Sequence, residues 1–81
     1  MKRIHVLISG KVIGVFFRAF IKEHARRLNL KGWIRNTEKN EVEAVFEGND
    51  KPMEIIIGYC YQGPTGSKVE NVEIMREEPT G

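Results

Sequence analysis

Hydrophobic and polar positions alternate from Arg3 to Ile8, with Ile4, Val6 and Ile8 on one side and His5 and Leu7 on the other. That period of two predicts a strand with one face committed to a core. The period then changes. Phe17, Phe20, Ile21, Ala25 and Leu28 recur at spacings of three and four, which predicts an amphipathic helix over about Phe17 to Leu28. Arg26 and Arg27 fall in its last turn, where cations suit the helix dipole. Asn29 fits the left-handed stop position. Gly32 to Asn36 predicts a short strand, with Trp33 and Arg35 opposite Ile34 and Asn36. Thr37 to Asn40 predicts a polar hairpin loop, in which Asn40 tolerates positive φ. Glu41 to Glu47 returns as a strand, with Val42, Ala44 and Phe46 inward and Glu41, Glu43 and Glu47 outward, Val45 among them. A second helix is expected to start at Asn49 or Asp50, with Pro52 in its first turn. It carries Met53, Ile56, Ile57, Cys60 and Tyr61 on one stripe and is stopped by Gly63-Pro64. A polar loop from Thr65 to Lys68 leads into a last strand around Val69 to Arg76, and residues 77–81 read as a frayed end.

The order is strand, helix, strand, strand, helix, strand. It predicts an α+β fold of the ferredoxin-like split β-α-β kind: an antiparallel sheet with both helices on one face. Eighty-one residues are expected to form one domain, 1–81. The fold alone decides nothing about chemistry.

Chemistry enters at the first strand-to-helix turn, Ser9 to Arg18. Gly10 and Gly14 bracket it, and a helix begins where it ends. The first N–H groups of a helix have no internal partner, and the dipole makes that end partly positive. A glycine-containing loop at such an end is an anion site in waiting. Arg18 stands in the first helical turn against the dipole, and no Asp or Glu occurs between Ser9 and Lys22. A cation there makes sense beside a bound anion; the plainer reading is a solvated arginine. His5 has no second His or Cys at ligand spacing, so no metal site is expected. Cys60, on an apolar helical stripe, reads as a small core residue rather than a nucleophile.

Charge adds little. Thirteen basic against 11 acidic residues leave +2, too weak to argue for nucleic acid or membrane binding. One cysteine excludes an internal disulfide and fits a reducing compartment. No apolar run reaches spanning length, and no signal-peptide core follows Met1. A cytoplasmic location is therefore expected.

The stretch G-K-V-I-G-V-F-F-R, Gly10 to Arg18, resembles the acylphosphatase signature G-x-V-Q-G-V-x-F-R. Leu28 to Thr37, L-N-L-K-G-W-I-R-N-T, resembles that family's second motif, L-G-L-x-G-W-V-x-N. The resemblance covers nearly the whole chain, with both motifs in register. It implies hydrolysis of carboxyl-phosphate mixed anhydrides, with no metal or other cofactor. Arg18 matches the phosphate-binding arginine, Asn36 the asparagine that orients the attacking water, and the backbone amides of Ile13, Gly14, Val15, Phe16, Phe17 and Arg18 the phosphate cradle. The implied partners are an acyl phosphate substrate and inorganic phosphate as product and inhibitor; separately, no nucleic acid, no membrane and a monomer are expected. Ile13 stands where the family has Gln, and Asn29 and Asn40 replace turn glycines. Family chains continue into a closing strand carrying a Phe, so here the closing strand is expected to be short or absent. The rival readings are a non-catalytic anion- or nucleic-acid-binding module on the same fold, and a small-molecule-sensing module that works as a dimer.

Overall fold

The computed structural model describes residues 1–80. Six elements follow in the expected order: β1 (Lys2–Lys11), α1 (Phe17–Arg27), β2 (Lys31–Asn36), β3 (Val42–Gly48), α2 (Asp50–Gln62) and β4 (Lys68–Glu77). The strands form one antiparallel sheet in the order β2-β3-β1-β4. At its centre Ile4 faces Phe46, Val6 faces Ala44 and Ile8 faces Val42. These six side chains are buried, and Phe17 and Ile21 of α1 and Met53, Ile56 and Cys60 of α2 pack with them. Both helices therefore cover one face of the sheet. Burial also pushes the Cys60 thiol up to about 12, so it is an inert core group.

The C-terminal end of α1 aims β2. Asn29 takes φ 58, its N–H donates to Arg26 O and that of Leu30 to Ala25 O. This paired pattern is the Schellman motif. Arg26 and Arg27 share Glu23 on the solvent side. The β2–β3 hairpin closes on Thr37, whose N–H donates to Glu41 O and whose hydroxyl accepts from the N–H groups of Lys39 and Glu41. Asn40 sits at φ 59. Asn49 is the N-cap of α2, although its side chain makes no capping hydrogen bond.

The uncovered face of the sheet is mixed in character. The residues facing one another across β2, β3, β1 and β4 form rows: Lys31, Glu47, Arg3 and Glu77 in one, Trp33, Val45, His5 and Met75 in the next. Val45 and Glu47 are buried on this side. Glu47 accepts from Arg3 Nη1 at 3.1 Å, from Thr80 N at 3.0 Å and from the Thr80 hydroxyl at 3.1 Å. The expectation of a frayed end is thus corrected for the described part of 77–81. β4 runs to Glu77, which pairs with Arg3 at 2.9 Å, and Thr80 is tied to β3 through Glu47.

Candidate active site

The pairing of β1 with β4 shifts register between Ser9 and Gly10, and Gly10 and Lys11 stay paired with Val69 and Lys68. Gly10 takes φ 124, and a Cβ there would collide with Lys68 O and lie 2.7 Å from Glu70 N on β4. Only glycine lets the strand end lie this close to its neighbour across the register shift. Gly14 follows at φ 75 and Phe16 at φ 59, with Val15 between them outside the left-handed region. Such alternation of left-handed and ordinary backbone gathers successive N–H groups on one concave side.

Where those N–H groups go decides what the loop can do. Val12 N–H donates back to Gly10 O, and Phe20 N–H opens the helical ladder by donating to Phe16 O. Between them, among the described residues, no backbone N–H from Ile13 through Ala19 donates to a protein acceptor. Buried or half-sheltered amides are normally paired. A whole run without partners, ending at the positive end of a helix, has free capacity for a multidentate anion. α1 has no acidic residue in its first turn. Among the described residues Arg18, like Arg76, has no carboxylate within salt-bridge distance, whereas Arg3, Arg26, Arg27 and Arg35 are paired.

Asn36 ends β2, opposite Val42, where the Thr37-closed hairpin begins. It is exposed. An open depression of about 390 Å³ brings it together with Arg18, and Val12, Gly14, Phe16, Phe17 and Ala19 complete the lining. Of the residues expected at the site, Ile13 and Val15 do not line the depression; their side chains pack against the core. Val12 and Ala19 were not anticipated; the small Ala19 beside Arg18 was the available signal. A second, apolar groove of about 230 Å³ lies between α1 and β2, lined by Ile21, Ala25, Leu30, Ile34 and Phe46 among others. It holds no constellation of acid, base or nucleophile. Nor, among the described residues, does any group of three or more His, Cys, Asp or Glu side chains come together as metal ligands.

The acylphosphatase family model matches residues 4–81. The chain belongs to the acylphosphatase family. It is 51% identical to the acylphosphatase of Chloroflexus aurantiacus over 98% of this chain and 86% of that protein. It is 47% identical to that of a Roseiflexus species over 100% and 87%. Among solved structures, the acylphosphatase of Bacillus subtilis superposes with a TM-score of 0.94 at 26% identity, over 98% of this chain and 88% of that one. The acylphosphatase from Coxiella burnetii superposes with 0.88 at 35% identity, over 98% and 86%. The family activity is hydrolysis of an acid anhydride, the acyl phosphate, and its substrate is a small molecule. No observation favours a non-catalytic module. On the uncovered face of the sheet Glu43, Glu47, Glu73 and Glu77 are interspersed with Arg3, Lys31 and Arg35. No helix of the described residues is long and apolar enough to cross a membrane.

Proposed function

We propose that this acylphosphatase holds the phosphoryl group of its substrate on the amides of Ile13 through Arg18 and on the Arg18 guanidinium, and that Asn36 orients the attacking water. The observation that carries the assignment is the run of acceptor-free amides from Ile13 to Ala19, of which Gly14, Phe16, Phe17 and Arg18 line one depression with Asn36. The chemistry asks for little more. An acyl phosphate expels a carboxylate of low pKa, so no strong general acid is needed. Phosphoryl transfer through a loose transition state depends on charge stabilisation and in-line placement of the nucleophile. Amides aimed at the equatorial oxygens supply fixed dipoles, and the guanidinium fork adds a bidentate, permanently charged partner. The Asn36 amide can both accept from and donate to a water. It has no basicity to offer near neutral pH, so its role is positional.

On this reading the enzyme works without a metal, as a monomer in the cytoplasm. A lone, buried Cys60 fits a reducing compartment. The test is phosphate release from acetyl phosphate with and without a chelator. Turnover that survives EDTA and is competitively inhibited by inorganic phosphate is expected. Arg18→Ala should raise KM, lower kcat and abolish phosphate inhibition together, because the phosphoryl group is anionic in ground and transition states alike. Arg18→Lys should recover only part, since an ammonium cannot reproduce the fork. Unchanged kinetics in Arg18→Ala, or activity that needs a divalent ion, would refute the assignment.

A further inference from the structure

Phe16 has no folding reason to be where it is. It is the N-cap residue of α1, at φ 59 and ψ 26, and its side chain is 85% exposed. A bulky residue in the left-handed region is an outlier. Here the ring gains no burial in return, and no capping hydrogen bond comes from the side chain. Gly or Asn would take the same backbone with less strain. Strained residues of this kind cluster at functional sites.

Phe16 lines the same depression as Arg18 and Asn36, together with Val12, Phe17 and Ala19. The lining is therefore polar at Arg18, Asn36 and the loop amides, and apolar elsewhere. At about 390 Å³ the depression has room for much more than a phosphate group. In an acyl phosphate the carbonyl carbon is one bridging oxygen from phosphorus. With phosphorus held by the amide of residue 16 and its neighbours, the acyl group must lie beside the loop's own side chains. Ile13 and Val15 turn inward to the core, which leaves Phe16 as the large apolar side chain the loop presents to it.

We propose that Phe16 is a specificity-determining residue: its ring is the platform on which the acyl group rests, and it favours apolar and above all aromatic acyl phosphates over acetyl phosphate. The proposal rests on the phosphate site assigned above. A ring stacked or edge-on against Phe16 gains an aromatic contact that a methyl group cannot make, worth about three- to tenfold in binding. The left-handed backbone of residue 16 would both shape the cradle and aim the ring outward.

The experiment compares kcat/KM for benzoyl phosphate and acetyl phosphate in the parent, Phe16→Leu, Phe16→Ala and Phe16→Trp. The readout is the ratio between substrates, so a general loss from a disturbed cradle cancels. The parent should favour benzoyl phosphate; the ratio should fall about three- to tenfold in Phe16→Ala, partly in Phe16→Leu, and be kept in Phe16→Trp. As a check that needs no variant, phenylphosphonate should inhibit the parent more strongly than methylphosphonate. If both substrates are hydrolysed but the ratio is the same in all proteins, or the two phosphonates inhibit equally, the platform is wrong and the phosphate site stands. If the parent hydrolyses neither substrate, both readings fall.

Discussion

Replacing Asn36 by Ala should separate catalysis from everything else. The side chain is exposed, and among the described residues it has no hydrogen-bond partner within the protein. The backbone pairing with Val42 does not depend on it. Surface substitutions of this kind stay within about 0.5 kcal/mol of the parent in stability. The rate is a different matter. Loss of one preorganised polar group at a reacting centre costs about 10²- to 10³-fold, or roughly 2.7–4 kcal/mol. Because Asn36 lies in an open depression rather than a dry cavity, the lower end applies, about a hundredfold in kcat. Phosphate does not require the water-orienting group, so its inhibition constant should hardly move. The assay is phosphate release from an acyl phosphate, with thermal unfolding of the same samples as the control. Asn36→Asp should fail to restore the rate despite its greater basicity, since it sets a negative charge against an anionic substrate. Parent-level kcat in Asn36→Ala would refute water positioning. A parallel loss of phosphate affinity would show instead that Asn36 belongs to the phosphate cradle.

Two further outcomes concern the frame that holds the site. Gly10→Ala should destabilise by at least ~2 kcal/mol, since it adds left-handed strain to a collision with Lys68 O, and the midpoint of a urea titration measures this. The Glu47 carboxyl is held below its ordinary value of 4.5, first by the N–H of Thr80 and then by Arg3 and the Thr80 hydroxyl, against the opposing effect of burial. A depressed carboxylate stabilises the fold above the unfolded-state value and loses that contribution as pH falls through the folded one. Melting temperature should therefore drop on acidification below about pH 4.5, and Glu47→Gln should flatten that limb while lowering stability at pH 7; an acid limb of parental steepness in the variant would refute it.

Most of the architecture is legible in the sequence because each element has its own local signature. The period switches from two to 3.6 at Phe17, and Asn29 and Asn40 both take the left-handed turns that asparagine allows. The two motif regions, Gly10 to Arg18 and Leu28 to Thr37, also mark where the depression forms. What local pattern could not supply was anything that depends on strand order. Glu47 is polar by alternation, but β3 lies inside the sheet, so Arg3 from β1 and Thr80 beyond β4 close over it. Val45 is covered for the same reason, between Trp33 and His5. His5 likewise is more than an outward strand residue. Its Nε2 lies 2.6 Å from Glu43, which also accepts from Arg35. Except for Arg35 and Glu43, which face each other across the β2–β3 hairpin, these side-chain partners are far apart in sequence, so no window reading could join them. The left-handed backbone at Phe16 was equally invisible, because residue type argues against it.

That last mismatch yields a test of why the strain is there. A non-glycine residue in the left-handed region costs ~1–2 kcal/mol, and Asn is among the side chains that reduce the cost. Phe16 is 85% exposed, so its removal forfeits almost no burial. Asn is also a favoured residue at a helix N-cap. Phe16→Asn should therefore stabilise the fold by about 0.5–1 kcal/mol, which for a domain of this size raises Tm by several degrees at roughly 4–8 °C per kcal/mol. If the ring serves the acyl group, the same substitution should cut the preference for benzoyl over acetyl phosphate. A more stable and less selective enzyme is the expected outcome: function then keeps a residue that folding disfavours. A Phe16→Asn protein that melts below the parent would mean the ring makes a stabilising contact of its own, and the case for a functional strain at this position would lose its premise.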